Sequence, residues 1–281
     1  MLRSRVPLRR STETTRVVAV REGRRSSRPD RLAAEEPMEI RVAGPGQDPS
    51  SLAVIMRTPG NDFELSAGFL HTEGFIGSRE EIVSIDYCDL PAGEQQYNVV
   101  TVRLSRPHAA DAARRNFFAT SSCGVCGKAS LDQLHVSCAP AAPGPAISTA
   151  VIMNLPSALR EQQRLFDATG GLHAAGLFDA SGALLALRED IGRHNAVDKL
   201  VGQAVLEGRA PLTDHILLVS GRASFEIVQK AAVAGIPVLC AVSAPSSLAV
   251  KAADELGLTL IGFLRQQGFN VYAHPERLRE G

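Results

Sequence analysis

Two cysteines with two residues between them, Cys123 and Cys126, stand in the run Thr120-Ser121-Ser122-Cys123-Gly124-Val125-Cys126-Gly127-Lys128. Ser and Gly on both sides allow a tight turn and leave the sulfurs approachable. The thiolate is the reactive form of cysteine, and the N–H groups of a glycine-rich turn favour it, as would Lys128. Three chemistries suit such a pair: thiol–disulfide exchange, half of a metal site, or a thiolate that takes up a sulfur atom as a persulfide and passes it on. A thioredoxin-like pair lies between a strand and a helix near the start of its domain, and this one does not. A metal needs more ligands. His71-Thr72-Glu73 with the later cysteine pair imitates the His-x-Glu and Cys-x-x-Cys halves of a zinc deaminase. Ser122 stands where that signature has proline, however, and the halves are far apart, so no metal is assigned.

The chain has five cysteines, the others being Cys88, Cys138 and Cys240. An odd set with no secretory signal ahead of it is expected of free thiols in a reducing compartment, and the cytoplasm is the default. Cys138 and Cys240 read as small buried residues, the latter mid-strand in Val238-Leu239-Cys240-Ala241-Val242. Thirty basic and thirty acidic residues cancel, so the overall charge points to no nucleic-acid partner. No apolar run is long enough to cross a bilayer.

The elements that must position this chemistry follow from periodicity. Residues 1–35 are rich in Arg and Ser; their composition resembles a transit peptide, but a solvated basic arm with a strand near Thr15–Val20 is the preferred reading. An amino-terminal part, 36–138, shows short apolar runs at Ile40–Val42, Leu52–Met56, Ile82–Tyr87 and Asn98–Leu104, read as strands. A helix is expected over Phe63–Thr72, capped by Asn61 or Asp62 and ended by Gly74. Helices are also expected at Ala109–Phe118 and Lys128–Val136. Ala139–Pro145 reads as a linker. The carboxy-terminal part, 146–281, opens with a helix over Leu155–Ala168. A hairpin around Asp179-Ala180-Ser181-Gly182 and a helix over Arg193–Glu207 follow. Strands at Ile216–Val219, Pro237–Val242 and Leu258–Phe263 then alternate with helices at Phe225–Ala234 and Ser246–Leu256. This alternation implies parallel strands, and hence an α/β or α+β protein with a mixed sheet.

Ser220-Gly221-Arg222-Ala223-Ser224 falls between a strand and a helix start, where N–H groups and the helix dipole favour an anion. Arg222 could pair a phosphate, and Ser224 is a ligand or the helix cap. Ser243–Ser247 occupies the same kind of position one unit later. Asp190, Arg193 and His194 precede or open a helix, where capping and ligand binding are both open.

Taken together, Ser121–Gly127, Asp190-Ile191-Gly192-Arg193-His194-Asn195-Ala196-Val197-Asp198-Lys199, Ser220-Gly221-Arg222, and Gly262-Phe263 with Arg265 and Phe269-Asn270-Val271-Tyr272 resemble the formate dehydrogenase accessory sulfurtransferase family, FdhD. The resemblance spans about Glu36 to Tyr272. It implies a cytidine-deaminase-like fold without deaminase chemistry. It also implies a carrier that moves sulfur from a cysteine desulfurase to a molybdenum cofactor, Mo-bis-molybdopterin guanine dinucleotide, before that cofactor enters formate dehydrogenase. By position, Cys123 would bear the persulfide and Cys126 would assist. Phe263, Leu264, Arg265, Gln266, Gln267 and Gly268 would form a cofactor-contacting loop. Ser220, Gly221, Arg222, Arg193 and His194 would face the same ligand. A homodimer would suit a two-tailed cofactor. The alternative is a non-catalytic chaperone that only escorts the cofactor.

Overall fold

The computed structural model describes residues 10–88, 97–108 and 140–280. Both cysteines of the central pair, Cys138 and the two helices expected beside the pair lie outside these residues. Within them the chain is a mixed α/β protein.

Four strands, β3 (Glu36–Ala43), β4 (Ser50–Arg57), β5 (Ile82–Tyr87) and β6 (Val99–Leu104), form a sheet in the order β4-β3-β6-β5. Alternate residues Met38, Ile40, Val42, Val100 and Val102 are buried, as a one-face-covered sheet requires. Helix α1 (Asp62–Thr72) packs in the same core. Its cap differs from expectation. Asn61 sits at φ 57° without a side-chain cap, and Asp62 turns to the fully buried Arg57, accepting from Nε at 3.0 Å and Nη2 at 2.9 Å. A buried guanidinium needs that fork of acceptors more than the helix needs a cap.

The carboxy-terminal part begins at β7 (Ile147–Ser148) and α2 (Thr149–Arg160), followed by α3 (Arg164–Thr169). The single helix expected over Leu155–Ala168 is therefore two. Ser148 caps the first through Ala150 N–H at 3.2 Å, so Pro156 lies inside the helix rather than at its start, and residues 161–163 break it. Ile152, Leu155 and Leu159 form its buried stripe.

Strands β8 (His173–Phe178), β9 (Leu184–Asp190), β10 (Ile216–Val219), β11 (Val238–Ala241), β12 (Thr259–Arg265) and β13 (Gly268–Ala273) make the second sheet, ordered β13-β12-β11-β10-β8-β9. β10, β11 and β12 are parallel, and the other pairings antiparallel. Its central strands are apolar on both sides: Ile216 and Leu218 face the layer of α2, while Leu217 and Val219 face the larger core. That second face is covered by α4 (Arg193–Leu206), α5 (Phe225–Val233) and α6 (Ser247–Glu255).

The two sheets share one core because α1 and α4 cross at glycines. A Cβ at Gly68 would lie 1.8 Å from the Asp198 carbonyl, and one at Gly202 would lie 1.8 Å from that of Glu64. No other residue permits this approach. The expected linker is tied down rather than free. Ala141 N–H bonds Leu256 O at 2.8 Å, Arg277 bonds the carbonyls of Ala142 and Pro143, and β7 pairs with β14 (Leu278–Arg279). The amino-terminal arm is more ordered than its composition suggests. β1 (Thr12–Arg21) and β2 (Arg24–Ala33) form a largely exposed hairpin, longer than the one short strand expected.

Candidate functional site

Parallel strands end on one edge, so the loops after β10, β11 and β12 meet. They are zipped by backbone bonds: Ser243 N–H to Gly221 O at 3.3 Å, Ser246 N–H to Ala223 O at 3.0 Å, and Phe263 N–H to Ser243 O at 3.2 Å. Because β8 runs antiparallel to β10, its first residue, His173, arrives at the same edge. The first turn of α4 closes the ledge.

Asp190 holds that turn in place. Its buried carboxylate pairs with Lys199 Nζ at 2.7 Å and accepts from Gly192 N–H at 2.8 Å, Asn195 Nδ2 at 2.9 Å and Thr58 N–H at 3.1 Å. Lys199 also donates to Thr58 O at 2.8 Å. Asp190 thus works as a cap and anchor, the structural one of its two sequence readings.

Arg193 and His173 converge on Gly221. A Cβ placed there would lie 3.4 Å from His173 Nδ1 and 3.9 Å from Arg193 Cδ. Arg193 Nε is buried and has no hydrogen-bond partner among the described residues. A buried guanidinium N–H without an acceptor is costly, and an anionic ligand would supply one. Burial, then the Arg193 charge, lowers the His173 pKa.

His194 faces the loop's end. Its Nε2 lies 3.3 Å from Ser224 Oγ and 3.9 Å from Glu226 Oε2. Burial, followed by the charges of Lys230 and Arg193, pushes the ring down to about 3, so it is neutral and can accept the Ser224 hydroxyl. Ser224 precedes α5 but makes no side-chain cap bond, which removes the capping reading. Behind it, Lys230 donates to Asp198 Oδ1 at 2.9 Å, Thr72 Oγ1 at 2.9 Å and Glu73 Oε1 at 3.1 Å. Burial alone would lower the Lys230 pKa, but the two carboxylates outweigh it and hold it above its ordinary value. Glu73 and Thr72, which imitate part of a deaminase signature, are thereby spent on this ion pair.

The other sequence candidates divide. Ser220 Oγ accepts from Ala174 N–H at 2.9 Å and so extends the β10–β8 ladder. Arg222 is exposed at the ledge. Phe263 is 47 % exposed at φ 53°, an uncommon conformation for a bulky residue, and its N–H joins it to the ledge. Leu264 must be corrected: it is fully buried beside Ile261 in the apolar cluster under α2 and cannot touch a ligand. The expected loop 263–268 is the end of β12, the turn Gln266–Gln267 and the start of β13. Arg265 Nη1 donates to the carbonyls of Val242 and Leu264. Gln266 Nε2 bonds Ser157 Oγ of α2 at 2.6 Å, away from Arg193 and His194. Cys240 is buried as expected, and burial pushes its thiol up. His71 is buried on α1, and among the described residues no group of His, Cys, Asp and Glu is arranged to hold a metal. His173 and Glu226 were missed. The topology, not the local sequence, brings His173 here.

Fold and ledge together define a mixed α/β protein that gathers Arg193, Arg222, His173 and His194 at the ends of its parallel strands, a set of side chains suited to an anion. The chain belongs to the FdhD/NarQ family, whose model matches residues 33–279. It is 50 % identical over 275 residues to the sulfur carrier protein FdhD of Mycolicibacterium paratuberculosis, covering 95 % of this chain and 98 % of that one. It is 52 % identical over 276 residues to the protein of the same name from Streptomyces avermitilis, covering 96 % of each. Its fold matches a crystal structure described as a formate dehydrogenase accessory protein from Desulfotalea psychrophila. There the TM-score is 0.73 and the identity 26 %, over 96 % of this chain and all of that one.

Proposed function

We propose that this chain takes a sulfur atom from a cysteine desulfurase onto Cys123 and hands it to Mo-bis-molybdopterin guanine dinucleotide before that cofactor enters formate dehydrogenase. The observation that carries the reading is identity of about half, over nearly the whole chain, to proteins named as sulfur carriers. In the first step the Cys123 thiolate attacks the outer sulfur of a donor persulfide. A new S–S bond forms on Cys123, the donor's S–S bond breaks, and the donor leaves as a thiolate. Attack by Cys126 on the inner sulfur would release sulfide and leave a Cys123–Cys126 disulfide, which a dithiol reductant reopens. The cofactor's guanine dinucleotide tail would lie on the ledge. There Arg193, Arg222, His173 and Ser224 suit phosphate oxygens, and the Phe263 ring suits a flat base. The cytoplasm as the place of action and the cytidine-deaminase-like description of the six-stranded sheet belong to the same proposal.

The test is mass spectrometry of the full chain after incubation with a cysteine desulfurase and cysteine. The expected result is one added sulfur atom on Cys123, lost in Cys123→Ala along with formate dehydrogenase maturation. Normal maturation with Cys123→Ala would leave the escort reading instead.

A further inference from the structure

Thr58 lies between β4 and α1, 1 % exposed, and its N–H, hydroxyl oxygen and carbonyl are all spent on the start of α4. The N–H donates to Asp190 Oδ2 at 3.1 Å, Oγ1 accepts from Ile191 N–H at 3.1 Å, and the carbonyl accepts from Lys199 Nζ at 2.8 Å. Two residues earlier, the Met56 carbonyl accepts from Asn195 Nδ2 at 2.8 Å. These bonds run from the amino-terminal sheet to residues on both sides of Arg193 and His194.

The loop that supplies them is itself held. Pro59 keeps the residue before it extended. The fully buried Arg57 guanidinium, already forked by Asp62, also donates to the carbonyls of Glu36 at 3.3 Å and Tyr97 at 3.4 Å. Gly221 is placed by other means. Its loop leaves β10, is tied to β8 through Ser220 Oγ and Ala174 N–H, and is zipped to the loop after β11. Arg193 is thus held at Gly221 by bonds from the first sheet, while Gly221 is set by the second.

We propose that Thr58 is a positioning residue of the ledge: its hydroxyl, through Ile191, sets the Arg193 guanidinium against Gly221 and with it the affinity for a nucleoside diphosphate. This role rests on the ledge holding the cofactor's nucleotide tail. Buried as it is, Thr58 touches no ligand itself. A binding set must be kept within about half an ångström by the bonds behind it. Without Oγ1, the Ile191 N–H loses its acceptor two residues before Arg193, and the turn shifts to satisfy it.

Calorimetric titration of the full chain with guanosine diphosphate tests this, with circular dichroism to check that each variant is folded. Thr58→Val keeps the shape of threonine without its hydroxyl, Thr58→Ala removes the hydroxyl with less bulk, and Thr58→Ser keeps it. Thr259→Val is the control for lost stability alone. Thr259 is likewise buried, at the end of β12 away from the ledge, and its Oγ1 donates to His274 O at 2.6 Å. Thr58→Val and Thr58→Ala should each weaken binding about tenfold. Thr58→Ser should stay within about twofold of the wild type, and Thr259→Val should bind as the wild type does while melting at a lower temperature. Unchanged binding by Thr58→Val and Thr58→Ala, a loss that Thr259→Val shares, or one that Thr58→Ser also shows would overturn the proposal and leave the ledge standing. A wild type that does not bind would remove the ledge as the nucleotide site, and the role of Thr58 with it.

Discussion

In the loop after β10, Ser224 precedes α5 at φ −90° and ψ 168°. In the loop after β11, Ser246 precedes α6 at φ −83° and ψ 159°. The two backbones offer a serine the same capping task, and only one performs it. Ser246 Oγ accepts from Ala249 N–H at 3.2 Å, whereas Ser224 Oγ caps nothing and lies 3.3 Å from His194. The difference comes from α4, whose first turn brings Arg193 and His194 over the first loop. A repeated strand–loop–helix unit has thus been divided: the serine of one copy caps its helix, and that of the other turns to His194. The helices behind the loops differ in the same way. Lys230 of α5 is locked between Asp198 and Glu73, while Lys251 of α6 is exposed.

The sharpest way to break this comparison is at those lysines. Lys230→Met would leave the buried Asp198 and the partly buried Glu73 without their cation and should cost about 3–5 kcal/mol of stability in urea unfolding. Lys251→Met should stay within about 0.5 kcal/mol. Equal losses would remove the asymmetry.

A smaller effect is expected from acid. Folded His194 stays neutral down to about pH 3, whereas an unfolded histidine binds a proton near ~6.5. The unfolded chain therefore gains a proton that the folded chain refuses. Stability is full above about pH 6.5 and falls as the pH drops toward the folded value. His194→Gln should remove this part of the acid sensitivity, of order a few kcal/mol, seen as a flatter unfolding free energy between pH 7 and pH 4. An unchanged slope would mean that the ring is not held neutral.

The smallest pair separates the serines. Ser246→Ala should lose about 1 kcal/mol with its cap. Ser224→Ala, with no cap to lose, should change thermal stability by only a few tenths while weakening the ligand site. The reverse order would contradict the structure.

Much of the carboxy-terminal half was legible because buried parallel strands read as apolar runs: Ile216–Val219 has the bounds its sequence suggests, and β11 and β12 fall within two residues. Legibility failed where tertiary partners decide. Pro156 suits a helix start, but Ser148 supplies the start about two turns earlier. The arginines of β2 hide a strand that pairs with the alternating β1. At the site, Gly221, Arg222, Arg193 and His194 could be named from motifs. The roles of Asp190 and Ser224 could not, since they depend on Lys199, Asn195 and Thr58 in one case and His194 in the other. Leu264 was misplaced because a motif records sequence neighbours, while strand alternation sends each neighbour to the opposite face.

The most direct measurement is calorimetric titration with guanosine diphosphate, a short mimic of the cofactor's nucleotide tail, into the wild type, Arg193→Gln and Ser246→Ala. If the first loop is the ligand-bearing one, the wild type and Ser246→Ala bind alike, and Arg193→Gln weakens binding by about tenfold or more, the loss of a charge-assisted contact. Equal binding by Arg193→Gln and the wild type, or a loss confined to Ser246→Ala, would contradict it.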